Sequence, residues 1–240
     1  MSRWELKNQA KGALKDNFGS KMLLFIIPII AGILGGGNGV KQSMDYNTSN
    51  FDSIPGSVWM VISFATLLIA ILMIVVALFV SVVTVGAIFN YIKIFRGERN
   101  NPQFKNVFGP FYDGSAGKII LLSIVKGVIF VALMFIPVIG WAFAIYLGLG
   151  WAFAIYLGLG WSQATYVLFD QLEEGRYSGV MGVLSESATM MKGLRGNYFI
   201  FKLSFFWWYV LYGISGGLAG FWTTPYLNMA SIAYYENIGK

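Results

Sequence analysis

The sequence predicts an all-α protein: a polytopic helical membrane protein with about six transmembrane helices and an amphipathic helix at its amino end lying in the membrane interface. Three observations carry this. First, 57% of the 240 residues are hydrophobic and 12% are charged, about half the charged share of a soluble domain, and the mean hydropathy is +0.65. Second, Ile119 to Phe169 runs 51 residues with one charge, Lys126. A buried helix of a soluble protein accounts for about 14 consecutive apolar residues and a bilayer crossing for about 20, so this run holds two crossings. Third, a six-span threading with both termini on one side places 16 of the 17 Lys and Arg residues on that side, and only Lys41 opposite. Cytoplasmic connections carry such an excess, so both termini are expected in the cytoplasm. Residues 1–240 read as a single membrane domain.

Residues 2–21 are expected to form the interfacial helix. Ser2 and Glu5 have capping-box spacing. Leu6, Ala10, Leu14 and Phe18 recur every four residues, and Arg3, Lys7, Lys11 and Lys15 form a parallel row about 60° round the helix. An apolar ridge beside a basic one suits the headgroup layer, so these four cations are candidates for binding anionic lipid, at roughly 1 kcal/mol each. The alternative is a basic flank that only fixes orientation. Residues 22–40 are the first span, weakened by Pro28 and by Gly35-Gly36-Gly37-Asn38-Gly39. A cleaved leader fits poorly, since acids precede the apolar run and no A-x-A site follows it. The glycine cluster lacks the Lys-Ser/Thr of a phosphate loop. A polar loop from Lys41 to Ser57 follows, with an Asn47-Thr48-Ser49 triplet that carries no functional weight.

Val58 to Ile92 has no charge across 35 residues, about 52 Å as one helix against about 30 Å of hydrocarbon. One long helix, spanning over 58–85 and leaving the membrane near Gly86, fits better than two. Lys93 to Lys118 is a basic connection with interleaved Phe104, Phe108, Phe111 and Tyr112. Between two spans this reads as a segment resting on lipid, and nucleic acid is not an expected partner.

The third span is expected over 119–136, ending in a turn from Pro137 to Gly140, and the fourth over 141–169. Gly-Trp-Ala-Phe-Ala-Ile-Tyr-Leu-Gly-Leu stands twice, from Gly140 to Leu159. The 29 residues of 141–169 make about 44 Å, and without one decapeptide 19 remain, about 29 Å. The second copy therefore looks like an insertion, rotating the helix ends about 80° out of register. Either the long helix tilts and protrudes, or the turn slides to Gly148-Leu149-Gly150. Asp170 to Asn197 returns to water, with Val180, Val183, Leu184, Ser187, Met190, Met191 and Leu194 at helical spacing. Spans over 198–215 and 218–235 follow, turned by Gly216-Gly217. Gly213-x-x-x-Gly217 and Gly216-x-x-x-Gly220 permit close helix approach.

Several pieces of the second half recur in a known order: Asp170, Glu186-Ser187, Met191-Lys192-Gly193, Leu203-Ser204-Phe205, Trp207 or Trp208, Pro225-Tyr226 and Tyr234-Tyr235. With Arg96-Gly97-Glu98 and Ile136-Pro137, the chain resembles the bacterial integral-membrane family known as domain of unknown function 975 over most of its length. The resemblance implies a multi-span protein of the bacterial cytoplasmic membrane, without an assigned reaction. The doubled decapeptide departs from the family pattern, in which one copy is expected.

The chain has neither cysteine nor histidine, which excludes thiolate chemistry, Ser-His-Asp catalysis and histidine-ligated metals or haem. No cofactor, no metal site and no catalytic residue is expected. Lys126 and Lys202 lie close enough to an inner end to snorkel, and no carboxylate falls near a bilayer midplane. Asp170, Glu186, Lys192 and Tyr226 are candidates for a polar cluster on the inner side, with Pro225 opening a kink whose freed carbonyls can line a cavity. The plainer reading is caps, charge pairs and packing. Function is expected to be non-enzymatic, through protein or lipid partners, as an envelope accessory or an immunity or stress-protection factor. Another membrane protein or a second copy is a further expected partner. The alternatives are a small-solute or peptide transporter or channel component, and a membrane-embedded enzyme acting on lipid.

Overall fold

The computed structural model describes residues 2–37, 55–139 and 144–238, and every regular element among them is helical. The polar loop with Lys41 and Asn47, the turn at Gly140 and Lys240 lie outside the described residues.

Helix α1 (Arg3–Lys15) begins on the expected capping box: the Ser2 amide donates to Glu5 Oε2 at 2.7 Å, and the Glu5 amide to Ser2 Oγ at 3.3 Å. Its apolar row does not face lipid. Leu6, Ala10 and Leu14 are buried against α12 (Gly220–Ile238), because that helix offers Met229, Ala230 and Ala233, themselves fully buried, as a protein surface to cover. Phe18 leaves the row. Asn17 takes a left-handed conformation (φ 54°) and Phe18 opens α2 (Phe18–Leu23). The buried Lys21 folds back to donate to Ala13 O at 2.7 Å, satisfying a carbonyl of the last turn of α1.

The expected first span is broken. After α2 the chain turns at Leu24 and Phe25 and resumes as α3 (Ile26–Gly37). Pro28 has no N–H to give Leu24's carbonyl, so a continuous helix would lose that bond; here Pro28 occupies the first turn of α3, where no such bond is due. Phe25 packs edge-on against Tyr91 at 4.8 Å, and the Tyr91 hydroxyl donates to Lys21 O at 2.8 Å. Gly35 to Gly37 remain helical.

Helix α4 (Gly56–Phe95) runs 40 residues unbroken, about 60 Å, as the uncharged run predicts. Beyond Gly86 it is packed. A 3-10 turn (Phe104–Phe108) lies on it, so close that a Cβ on Gly86 would collide with Val107's carbonyl oxygen. Asn90 Nδ2 ties the pair by donating to Gly86 O at 2.7 Å and Asn106 O at 2.9 Å. A single turn, α5 (Gly109–Tyr112), leads into α6 (Ala116–Ile139), which returns beside α4 with Ser81 and Ser123 hydroxyls 2.9 Å apart.

Helix α6 passes through Pro137, beyond the expected end at Ile136. Helix α7 (Ala144–Gly160) runs through Gly148 and Gly150, so the turn does not slide there. Nor does 141–169 form one helix: it stops at Gly160, turns through Trp161, Ser162 and Gln163, and resumes as α8 (Ala164–Glu173). The amphipathic segment is α9 (Gly179–Met190), burying Val180, Val183, Leu184 and Ser187 as its spacing predicts. The expected span 198–215 is divided at Ser204-Phe205 into α10 (Arg195–Leu203) and α11 (Phe206–Ile214). Gly216 and Gly217 turn the chain with positive φ into α12. A Cβ on Gly217 would meet Ile33 and one on Gly220 would meet Tyr212, whereas Gly213 and Gly216 face open space.

Three stretches are long and apolar enough to cross a membrane: Ser57–Phe95, Ala116–Leu133 and Ala152–Glu173, the last continuing through the turn after α7. The other three expected spans differ in kind. Helix α3 has 12 residues, α10 and α11 have 9 each, and α12 has 19 but carries Thr223, Thr224, Asn228 and Ser231. Neighbouring helices cover much of α12, so its side chains need not be compatible with lipid.

Candidate functional site

One end of the bundle carries a layer of ion pairs. Arg96, capping α4, donates from Nη2 to Asp170 Oδ1 at 2.7 Å and from Nε to Glu236 Oε1 at 2.8 Å, linking α4, α8 and α12. The Tyr235 hydroxyl completes the knot by donating to Asp170 Oδ2 at 2.6 Å. Partial burial opposes the charge on Arg96, but the two carboxylates outweigh it and hold the guanidinium above its ordinary value. Lys93 pairs with Glu173 at 2.6 Å, and both Lys93 and Arg96 lie 5.5 Å from the Phe169 ring centre. Beside this layer is a polar cleft of about 400 Å³ bordered by Asn90, Arg99, Asp113 and Lys118.

A second cavity, of about 360 Å³, lies beneath that layer, between α8, α10, α11, α12 and the turn after α7. Its lining includes Ser162, Tyr166, Tyr198, Lys202, Tyr209 and Asn228, with no Asp or Glu. Lys202 Nζ donates to Ser231 Oγ at 2.7 Å, and Ser231 spends its own proton on Leu227 O at 2.7 Å.

The break after α7 gathers two more cations. Lys126 Nζ reaches Trp161 O at 3.5 Å, and the Arg195 guanidinium lies on the Tyr156 ring at 3.7 Å, beside Gly160. Both complement the negative end of a helix whose last carbonyls lack helical partners. Ser187 Oγ donates to Gly160 O at 2.8 Å there. The buried Nε and Nη1 of Arg195 make no hydrogen bond, and the ring face under them is the compensating contact. Lys126 and Lys202 therefore turn into the bundle instead of snorkelling, because the Trp161 carbonyl and the Ser231 hydroxyl lie within their reach.

A third feature is an apolar hollow of about 520 Å³ between α1 and the last two helices, lined by Leu14, Phe18, Trp208, Trp222 and Tyr226, with Lys11 and Lys15 also lining it. Lys7 is already engaged, donating to Ser204 O at 3.2 Å and lying 4.4 Å from the Phe205 ring centre.

Residues 143–240, which hold α7 to α12, match the model of a family described as Protein of unknown function (DUF975). Over this segment the chain is similar to DUF975. No curated protein and no solved structure matches the chain. The DUF975 segment supplies every lining residue of the Lys202 cavity but Ile88. Arg96-Gly97-Glu98 and Ile136-Pro137, which also carry the resemblance, fall outside it. Arg96 nonetheless docks on its Asp170 and Glu236.

The four polar candidates within the DUF975 segment do not converge. Asp170 belongs to the Arg96 knot. Glu186 accepts from Arg176 at 3.0 Å and from Gln171 at 2.6 Å, and the Arg176 bond holds its carboxyl below the usual range. Tyr226 packs its ring on Phe205 at 5.7 Å and Trp208 at 5.4 Å, and Lys192 is exposed. Pro225 is buried inside α12 between Thr223 and Asn228, on the helix that walls the cavity. Sequence reasoning missed Arg96, Tyr235 and Glu236 as partners, since they lie 74, 65 and 66 residues from Asp170. Among the described residues no group of three or more Asp or Glu could hold a metal ion.

Proposed function

We propose that this is a six-span, non-enzymatic protein of the bacterial cytoplasmic membrane, with both termini in the cytoplasm, which acts by holding anionic lipid or a protein partner at the α1 face. Six crossings follow if the broken pairs count as spans: 18–37 and 195–214 each contain 20 residues, about 30 Å as helix. The ion-pair layer then lies at the cytoplasmic end, where the positive-inside bias puts Lys and Arg. The observation that carries the lipid reading is the hollow walled by Trp208, Trp222 and Tyr226 with Lys11 and Lys15 beside it. Aromatic walls match an acyl chain at headgroup depth, and the lysines match an anionic head. Arg3, exposed on the same helix, extends the basic row. The test is lipid retained after exchange into phosphatidylcholine micelles. Wild type retains phosphatidylglycerol, and a Lys11→Ala/Lys15→Ala variant loses most of it. Equal retention by both defeats the reading.

A second reading, a small-solute transporter, is favoured by one observation: a polar cavity lies beside Pro225. It requires solute flux into proteoliposomes that Pro225→Ala changes. An intact fold that moves none of a panel of solutes excludes it. An enzyme acting on lipid would instead require Asp170, Glu186 or Tyr226 for activity in a deletion-rescue assay.

A further inference from the structure

We propose that the cavity around Lys202 binds a single oxyanion, the phosphate or carboxylate group of a membrane lipid or of a small cytoplasmic solute. The argument begins with a charge that the protein does not answer. Arg96, Lys93 and Arg176 each face a carboxylate. Lys21, Lys126 and Arg195 each lie against carbonyls near a helix end. Among the described residues Lys202 has neither, only the neutral Ser231 hydroxyl and the Tyr198 ring at 5.4 Å. A cation withdrawn from water without a counter-charge bears a large desolvation cost, and its remaining N–H groups line an open cavity.

The surroundings favour an anion and oppose a cation. The phenol hydroxyls of Tyr166, Tyr198 and Tyr209 are able to donate, as is the second N–H of the Asn228 amide, whose first goes to Thr224 O; the Ser162 proton is spent on Leu159 O. A cationic ligand would meet Lys202 with nothing to offset it. The volume of about 360 Å³ exceeds several-fold the roughly 30 Å³ share of one water, so an oxyanion and part of its hydration fit. Ser231 lies one turn of α12 from Tyr235, about 6 Å along the axis, so the site is immediately beneath the ion-pair layer. That depth is within reach of a headgroup from the side or a solute from the wet end. The site shares no lining residue with the hollow beside α1 and does not depend on it.

The experiment is thermal unfolding of the full chain in phosphatidylcholine nanodiscs at constant ionic strength. Inorganic phosphate or acetate is added against a chloride control, and in a parallel arm phosphatidylglycerol replaces part of the lipid. Wild type should gain roughly 5 °C at a hundredfold excess over Kd, Lys202→Arg should retain most of that gain, and Lys202→Gln should lose it. A response to phosphate or acetate identifies a soluble ligand, and a response to phosphatidylglycerol alone identifies a lipid head. No response of wild type in any arm, or an undiminished response in Lys202→Gln, overturns the proposal. Should Lys202→Gln fail to fold, Tyr198→Phe and Asn228→Leu decide: each should weaken apparent anion affinity at least threefold, and unchanged affinity in both overturns it. The Lys11→Ala/Lys15→Ala variant should keep the Lys202-dependent gain. Loss of the gain there, with persistence in Lys202→Gln, would place the anion in the α1 hollow, ending this proposal while leaving the lipid reading intact.

Discussion

The two halves of α4 are alike in sequence and opposite in environment. All 21 residues from Ser57 to Ala77 are exposed: 18 are apolar, and Ser57, Ser63 and Thr66 carry hydroxyls. Over about 31 Å no residue of this half is buried among the described residues, as a helix surrounded by lipid requires. From Val82 to Ile94 the same helix buries Val82, Val83, Ala87, Phe89, Tyr91, Ile92 and Ile94. Apolar content alone does not separate a lipid-facing half from a protein-facing half. The markers that do are few: Gly86, which admits the 104–108 turn, and Asn90, whose amide binds it.

The sharpest way to break this contrast is Gly86→Val. Its Cβ would strike the Val107 backbone, and the expected loss exceeds about 4 kcal/mol, seen as little or no folded protein in detergent. Next comes the same kind of truncation made in each half. Ile92→Ala, at a fully buried position, should cost about 2–5 kcal/mol, while Leu68→Ala, exposed in the outer half, should stay within about 0.5 kcal/mol. Equal losses in reversible denaturant unfolding would show that the outer half is packed against something. In the ion-pair layer, Arg96→Met strands Asp170 and Glu236, and a loss of roughly 3 kcal/mol is expected for breaking a partly buried pair. Tyr235→Phe removes one hydrogen bond to Asp170 and should cost about 1–2 kcal/mol.

The smallest effect is a pH dependence. Arg176 holds the Glu186 carboxyl below its ordinary value, so its folded form binds a proton less readily than its unfolded form. Its contribution is therefore present above the ordinary carboxylate pKa and is lost as pH falls through the lower folded value. Partial exposure of both side chains keeps it small. Midpoints from pH 7 to pH 3 should fall slightly less in Arg176→Gln than in wild type. Identical curves would show that the pair adds nothing.

How much of this was legible depended on the distance over which each feature is decided. The long α4, the capping box at Ser2 and the buried face of α9 are set by residues within a turn or two, and their patterns were readable. The break at Trp161 to Gln163 left a signal, a polar Ser162-Gln163 pair after Gly160 inside an expected span. The division at Ser204-Phe205 left none, because Phe205 is a core residue whose position is fixed by Phe201 and Tyr226. The direction of Lys126 and Lys202 was unreadable for the same reason. Snorkelling and turning inward are equally open to a lysine stem, and the choice rests with Trp161 O and Ser231 Oγ on other helices. Of the site, Asp170 was visible as a carboxylate at a span end, but the guanidinium that answers it was not.

The doubled decapeptide has an asymmetric consequence. Because its copies are identical, excising 140–149 or 150–159 yields one and the same shortened chain. That chain still enters Gly160 through an unaltered ten-residue approach, so the tyrosine beneath Arg195 is kept whichever copy is removed. The extra length is therefore taken up on the α6 side of α7, ahead of the approach to Gly160 that both chains share.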